Sequence, residues 1–329
     1  MLFKTSIILR QYCSLGETNF FAIKSTIQNV EDKHIIPVLG REQYNALNEA
    51  YKNATDETLA PGPLKELLEQ CRKVIAPYVC YYHAPKADAT LSDAGFKRSE
   101  TESSKTAYQY QLANYREANL LEAEAATENL ISFLEAEINN YELWANSDAY
   151  KTYKSLFIRK ASEFNDFFPS ASPYRNFFAM KPKMLAVEEM GIRNFLGDAL
   201  FADIKTKYNG AGALSEKEQV LLFKLKNAIA NLTVAAAVPL LNVKIAENGL
   251  TLSTAGARST NDNINSRSAA DANAINALIE TCKNTGKSWI ENAGKFLKEN
   301  ATDFATWPGN VSQTVSIGRN EQNSVFGIF

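Results

Sequence analysis

The tetrapeptide Asn19-Phe20-Phe21-Ala22 recurs as Asn176-Phe177-Phe178-Ala179, a shift of 157 residues (176 − 19). Further along the chain the shift falls to 154 and then rises to 163, and each change lies where a loop is expected. A chance similarity would not keep its register in this way, so the sequence predicts a tandem duplication. The aligned pairs include Val30-Glu31 with Val187-Glu188, Leu39-Gly40 with Leu196-Gly197, Ile75-Ala76 with Ile229-Ala230, and Trp144 with Trp307.

The repeating unit is about 150 residues long, which is the size of a domain and too long for a solenoid repeat. We expect a first domain over residues 1–150, a second over 151–308, and a C-terminal tail over 309–329 that has no counterpart in the first copy. Packing surfaces are useful in both copies, whereas an enzyme site needs to survive in only one.

The spacing of apolar residues predicts helices in each copy. Leu64, Leu67, Leu68, Cys71 and Ile75 recur at steps of three and four, which places them on one face of a helix. From Ser103 to Tyr141 another such pattern runs without Gly or Pro, and a helix of about 38 residues would be nearly 60 Å long. The acidic residues of that helix, Glu117, Glu122, Glu124 and Glu128, are expected to form a solvated face. The predicted fold is mainly α-helical.

Between these two helices each copy has an extended stretch that predicts a β-hairpin before the long final helix. In the second copy it alternates around Asn248-Gly249, a pair that favours a type I′ turn, with Leu250 and Leu252 following. The counterpart in the first copy contains Gly95 and Phe96. An isolated two-stranded hairpin is marginal in water, so we expect both hairpins to pack on a helix or to contact a neighbouring subunit.

The tail is a further candidate interface, because its apolar residues alternate and then cluster at the end of the sequence. A cluster of this kind is costly to expose unless a partner receives it. Its candidate interface residues are Val311, Val315, Ile317, Phe326, Ile328 and Phe329.

Composition narrows the functional class. Hydrophobic residues make up 45% and charged residues 22% of the chain, as in globular proteins, and the net charge of −2 gives no general attraction for nucleic acid. The longest apolar stretch, Ala228 to Val243, is interrupted by Asn231, Pro239 and Asn242, so no membrane segment is expected.

The sequence contains only weak matches to catalytic, phosphate-binding and metal-binding motifs. Thr285-Gly286-Lys287-Ser288 resembles the end of a phosphate-binding loop, but the earlier Gly is replaced by Thr281 and the surroundings predict a helix. His34 and His83 have no partner at metal-ligand spacing, so surface or capping roles are expected. Glu31 and Glu188 are equivalent single carboxylates, each expected to pair with a Lys or Arg. We therefore predict no catalytic residues, no cofactor and no metal site.

The order of these elements resembles a known group of virion proteins. Asn-Phe-Phe-Ala, Val-Glu, then Ile35 to Tyr44 (IIPVLGREQY), a helix, a Gly-centred hairpin and a long closing helix are similar to the duplicated head-to-tail connector proteins of crAss-like phages and Bacteroidetes prophages. These are also called ring, adaptor or head-completion proteins. The second copy departs from this pattern, with Arg193-Asn194 in place of Ile36-Pro37.

The resemblance implies a non-enzymatic structural protein that forms a ring, expected to be a dodecamer, between the portal and the tail. It implies contacts with the portal protein and other connector or tail proteins, DNA near the lumen, and a location in the virion after assembly in the host cytoplasm. Two alternatives stay open: a helical protein-binding module of a cellular complex, and an enzyme whose carboxylate site has no recognisable motif.

Overall fold

The computed structural model describes residues 1–55, 58–87, 89–92, 95–98, 108–170, 173–241, 243–246, 249–252 and 272–310. By contacts within the chain it divides into two compact units, unit 1 (Met1–Lys181) and unit 2 (Pro182–Phe329). The boundary between the two sequence repeats does not coincide with the boundary between the two compact units. The segment 156–181 opens the second repeat but belongs to unit 1.

The described part of unit 1 is mainly helical. Asn19 caps the helix Phe20–Val30, because its side chain accepts a hydrogen bond from the Phe21 amide at 3.0 Å. A π-helical stretch, Glu31–Ile35, links this helix to the next one, Ile36–Leu39. The helices are α1 (Ser6–Arg10), α2 (Phe20–Val30), α3 (Ile36–Leu39), α4 (Arg41–Asn53), α5 (Pro63–Ala87), α6 (Gln109–Ala136), α7 (Glu142–Ala145), α8 (Asp148–Lys154), α9 (Ala161–Phe167) and α10 (Pro173–Ala186), of which α10 runs through the boundary at residue 181.

From the π-helical stretch onwards, the elements of unit 2 follow the same order as those of unit 1. A π-helical stretch, Val187–Ile192, stands where Glu31–Ile35 stands in unit 1, and a second one, Lys207–Ala211, directly follows the helix Asp198–Thr206. The helices are α11 (Arg193–Leu196), α12 (Asp198–Thr206), α13 (Glu216–Leu241) and α14 (Ala272–Glu299). The mainly helical fold is therefore confirmed.

The two longest helices of each unit pack together, α5 with α6 and α13 with α14. The predicted stripe is confirmed: Leu67, Leu68, Cys71 and Ile75 are all buried on α5. Short β-strands follow the first helix of each pair. In unit 1, β1 (Ala89–Ser92) pairs antiparallel with β2 (Gly95–Arg98), and in unit 2, β3 (Val243–Ala246) pairs with β4 (Gly249–Leu252).

In the pairing of β3 with β4, Ala246 lies opposite Gly249, which is the first residue of β4. Asn248, the first residue of the predicted type I′ turn, lies outside the described residues.

The final helix of the first repeat is shorter than expected. The apolar pattern predicted a helix from Ser103 to Tyr141, but α6 ends at Ala136 and a 3₁₀ turn, Ile138–Asn140, follows it. The turn keeps Phe133 and Tyr141 in contact, with ring centroids 5.6 Å apart. The apolar spacing therefore continues past the end of the helix.

Equivalent residues make equivalent contacts in the two units. Gly40 and Gly197 end α3 and α11 with φ of 76° and 75°, which confirms the predicted glycine C-caps. The indole N–H of Trp144 donates to the Val38 carbonyl at 2.9 Å, and that of Trp307 donates to the Phe195 carbonyl at 2.9 Å. The pairs that correspond in sequence thus correspond in structure as well.

Candidate functional site

A buried carboxylate, Glu31, lies at the centre of unit 1. Its Oε1 accepts the Leu2 amide N–H at 2.6 Å, and its Oε2 accepts the Tyr44 hydroxyl at 2.7 Å. The α-ammonium of Met1 lies 3.7 Å from Oε2. Burial raises the pKa of the Glu31 carboxyl, although these partners act in the opposite direction. A Lys or Arg partner was predicted for Glu31. Among the described residues, its partners are instead the Leu2 amide, the Tyr44 hydroxyl and the Met1 ammonium.

The equivalent carboxylate in unit 2, Glu188, has a different partner. Phe201 replaces Tyr44 and offers no hydroxyl, and Lys205 stands where Asn48 stands in the first repeat. The Lys205 ammonium lies 2.5 Å from Glu188 Oε2, and both side chains are buried. The predicted pairing with a lysine is confirmed here.

In each unit a basic side chain also contacts the ring of a tyrosine. The Arg72 guanidinium lies 4.8 Å from the centre of the Tyr51 ring and donates to the Leu2 carbonyl at 3.1 Å. In unit 2, the Lys226 ammonium lies 4.5 Å from the Tyr208 ring centre and donates to its hydroxyl at 2.9 Å. These polar groups bind one another inside each unit, which is typical of buried networks that fix a fold.

Both histidines are buried or half-buried, so the predicted surface or capping roles are wrong. His34 stacks on Tyr78 with ring centroids 3.8 Å apart, and its Nε2 lies 3.1 Å from the Tyr82 hydroxyl oxygen. Burial, together with the charge of Lys33, lowers the pKa of His34 to about 4. Burial also lowers the pKa of His83, whose Nδ1 has no hydrogen-bond partner in the described part of the chain.

Two cysteines that are distant in sequence meet in unit 1. The interaction of the two thiols raises the pKa of Cys13 and lowers that of Cys80, and the Cys13 thiol donates to the Leu9 carbonyl at 3.6 Å. Within the described ranges, no cluster of three or more His, Cys, Asp or Glu side chains has the arrangement of a metal site.

The motif Thr285-Gly286-Lys287-Ser288 lies inside α14, as expected from its surroundings. A Cβ atom on Gly286 would lie 2.6 Å from the Leu232 Cγ on α13. The glycine therefore lets the two helices approach each other, and the close packing explains its presence without a phosphate.

A pocket in unit 1 lies between the end of the first repeat and the segment 156–181. Val38, Ile131, Trp144 and Tyr153 line one side, and Phe177, Phe178 and Lys181 line the other. Burial lowers the pKa of the Lys181 ammonium. The sequence did not predict this pocket, because its lining residues are far apart in the chain.

Of the four acidic residues expected on a solvated face of α6, Glu122 is exposed, Glu117 and Glu128 are half-buried, and Glu124 is buried, so the expectation is wrong for Glu124. Glu128 Oε1 accepts the Ser162 amide N–H at 3.1 Å, close to the start of α9, where a carboxylate complements the helix dipole. Glu124 is buried on α6.

The candidate interface residues of the hairpins lie partly within the described ranges. Gly95 and Phe96 belong to β2, and Gly249, Leu250 and Leu252 belong to β4. The others lie outside the described residues: Asn248, Val311, Val315, Ile317, Phe326, Ile328 and Phe329.

One helix, spanning Glu216–Leu240, is long and apolar enough to cross a membrane by length and composition, and 67% of its most apolar window is buried inside the protein. Core helices of soluble proteins have the same properties.

One family model, described as a family of unknown function (DUF6712), matches the chain twice, over residues 35–154 and 192–317. The chain belongs to the DUF6712 family. The second DUF6712 match begins 157 residues after the first (192 against 35) and ends 163 residues after it (317 against 154), the same shifts that relate the repeats. No curated protein and no solved structure matches the chain.

Proposed function

We propose that the chain is a structural, non-enzymatic virion protein that forms a ring in a phage head-to-tail connector, between the portal and the tail. The observation that carries the proposal is that both units share the tryptophan hydrogen bonds and the glycine caps and also expose large apolar side chains. Phe21 in unit 1 and Met190 and Phe223 in unit 2 are more than half exposed. Contiguous exposed apolar patches are typical of surfaces that bind other proteins, and in this proposal these side chains belong to such patches.

The buried polar groups support a structural role rather than an active site. Glu31 and Glu188 each satisfy their oxygens with groups of their own unit, such as Tyr44 and Lys205. General acid–base catalysis needs a proton donor or acceptor that a substrate can reach. The two equivalent carboxylates are better suited to holding the π-helical stretches in place.

In this proposal the hairpins and the tail are assembly elements inserted into a helical frame. Strand edges are able to pair with neighbouring chains, which favours a contact through Gly95–Arg98 and Gly249–Leu252. The tail contributes Phe326, Ile328 and Phe329, each worth roughly 1.5 to 3 kcal/mol when fully buried in a partner groove. The partners are other copies of the chain, twelve to a ring, the portal protein, and connector or tail proteins, with DNA near the lumen.

Truncation after Pro308 tests this role of the tail. The shortened chain keeps Trp307 and Pro308, which pack on α11, so we expect its helicity by circular dichroism to be unchanged. We expect its affinity for the portal ring to fall at least tenfold. The matched control replaces only Phe326, Ile328 and Phe329 with Ser and should reproduce most of the loss. Unchanged assembly of both variants would contradict the proposed role of the tail.

A helical binding module of a cellular complex is the rival function. It predicts a particle that stays a monomer or dimer at every concentration and does not bind the portal, so sedimentation of the chain, alone and with the portal ring, separates it from a ring protein.

A further inference from the structure

The pocket of unit 1 contains a lysine whose charge is not balanced by a carboxylate. Three basic side chains line this pocket, those of Arg159, Lys160 and Lys181. The Lys160 ammonium lies 3.5 Å from the Glu135 carboxylate, and the Arg159 side chain donates to the Leu156 carbonyl at 3.2 Å. In the part of the chain that the structure describes, no carboxylate lies within 4 Å of the Lys181 ammonium.

Burial makes this ammonium unfavourable as it stands. Lys181 is half-buried, its ammonium lies 5.9 Å from the centre of the Phe178 ring, and loss of water lowers its pKa. Glu128, an acidic residue of the pocket lining, instead accepts the Ser162 amide N–H at 3.1 Å. An anion that entered the pocket would therefore replace interactions that the Lys181 ammonium loses on leaving water.

The first repeat has the same lysine in a different environment. Lys24 corresponds to Lys181 at the shift of 157 residues that relates the two tetrapeptides. Lys24 is exposed on α2, whereas Lys181 is half-buried on α10. The first repeat thus folds with this lysine in water, so the needs of the helix alone do not explain why its counterpart faces a pocket.

The size and the apolar lining of the pocket restrict the kind of anion. Val38, Ile131, Trp144, Phe177 and Phe178 line it. Its volume is about 60 Å³, which has room for a few water molecules or for one carboxylate with its neighbouring methylene groups. Phe178 is 40% exposed and offers a surface to an apolar group attached to that carboxylate. A single ammonium balances a monoanion better than a doubly charged phosphate.

We propose that the pocket of unit 1 binds an apolar carboxylate, whose anionic group pairs with the Lys181 ammonium and whose apolar part packs on Phe178. A small carboxylic acid and an acidic side chain of another protein chain present the same group, so both are sources of this ligand. The site is independent of the proposed connector function, because all its lining residues belong to unit 1.

NMR titration of the full chain with 3-phenylpropionate tests the pairing. We expect binding at one site, and the neutral analogue 3-phenylpropanol should bind at least about tenfold more weakly. Lys181→Met keeps an unbranched side chain without the charge and should weaken binding of 3-phenylpropionate at least about tenfold. The matched control Lys24→Met removes the equivalent exposed lysine and should leave the affinity unchanged. Circular dichroism checks that both variants keep their helicity.

Two blocked dipeptides distinguish the sources of the carboxylate. N-acetyl-Phe-Glu-amide carries its carboxylate on a side chain, and N-acetyl-Phe-Gln-amide is its neutral counterpart. Tighter binding of the Glu peptide than of 3-phenylpropionate would support an acidic residue of another chain, and weaker binding would support a small carboxylic acid. The proposal is overturned if neither carboxylate binds, if the neutral analogues bind as tightly as the acids, or if Lys181→Met binds as well as the unchanged chain.

Discussion

Breaking the buried ion pair of unit 2 should destabilise the protein far more than breaking an exposed one. The Lys205 ammonium lies 2.5 Å from Glu188 Oε2, and the exposed fractions of the two side chains are 13% and 0%. Glu188→Gln would leave the ammonium inside the protein without its carboxylate partner. Loss of one member of such a pair costs roughly 3 to 5 kcal/mol, so we expect the free energy of unfolding to fall by about that amount.

The double variant Glu188→Gln/Lys205→Met shows whether the destabilisation comes from an unpaired buried charge or from the substitutions themselves. The double variant leaves no buried charge without a partner. We therefore expect its free energy of unfolding to be within about 1 kcal/mol of that of the unchanged chain. The control is Asp303→Asn, which breaks an ion pair of the same unit. Asp303 lies 2.5 Å from Lys217, but their side chains are 43% and 48% exposed, so a loss below about 1 kcal/mol is expected.

Urea denaturation followed by tryptophan fluorescence measures the unchanged chain and the variants Glu188→Gln, Lys205→Met, Glu188→Gln/Lys205→Met and Asp303→Asn, because Trp307 and Trp289 lie in unit 2. The reasoning is refuted if Glu188→Gln costs no more than Asp303→Asn, or if the double variant is as unstable as the sum of its single variants. Either result would mean that Glu188 and Lys205 are not coupled through a desolvated ion pair.

Two further predictions concern groups whose environment the sequence did not show. Burial lowers the pKa of His34 in the folded protein to about 4, whereas its value in the unfolded chain is about 6.5. Between these two pH values the unfolded chain takes up a proton at His34 and the folded protein does not. The free energy of unfolding should therefore fall as the pH falls from 6.5 to 4. In urea titrations at pH 5 and 7, His34→Phe should remove part of that loss, and an unchanged pH dependence would contradict the assignment. Gly286→Ala should destabilise unit 2 by about 1 to 3 kcal/mol, because its Cβ would overlap the Leu232 side chain, whereas the control Gly191→Ala meets no atom within 4 Å and should be neutral or stabilising. Thermal unfolding compares the two glycine variants, and equal stability would show that the helices can move apart at no cost.

The repeat was visible in the sequence because it depends on local register. The shifts of 157 and 163, the apolar stripe of α5, and the glycine caps at Gly40 and Gly197 all follow from short-range spacing, and the structure bears them out. The end of α6 did not follow from it, because the 3₁₀ turn at Ile138–Asn140 keeps the apolar side chains on the same side of the chain.

The contacts that define the candidate site depend on residues far apart in sequence. His34 is buried by Tyr78, 44 positions later, and Cys13 meets Cys80 across 67 positions, counting from the residue numbers. Apolar periodicity carries no information about such pairs. The single substitution of Lys205 for the Asn48 of the first repeat was readable in the alignment, but its importance depends on Glu188 being buried.

The mass of the assembled chain in solution shows whether the protein forms a ring. Native mass spectrometry of the purified protein, alone and with the portal ring, gives the number of 36.5 kDa subunits in each particle. We expect one closed oligomer of twelve copies that binds the portal as a whole. A chain that remains a monomer or dimer at every concentration, with and without the portal, would contradict it.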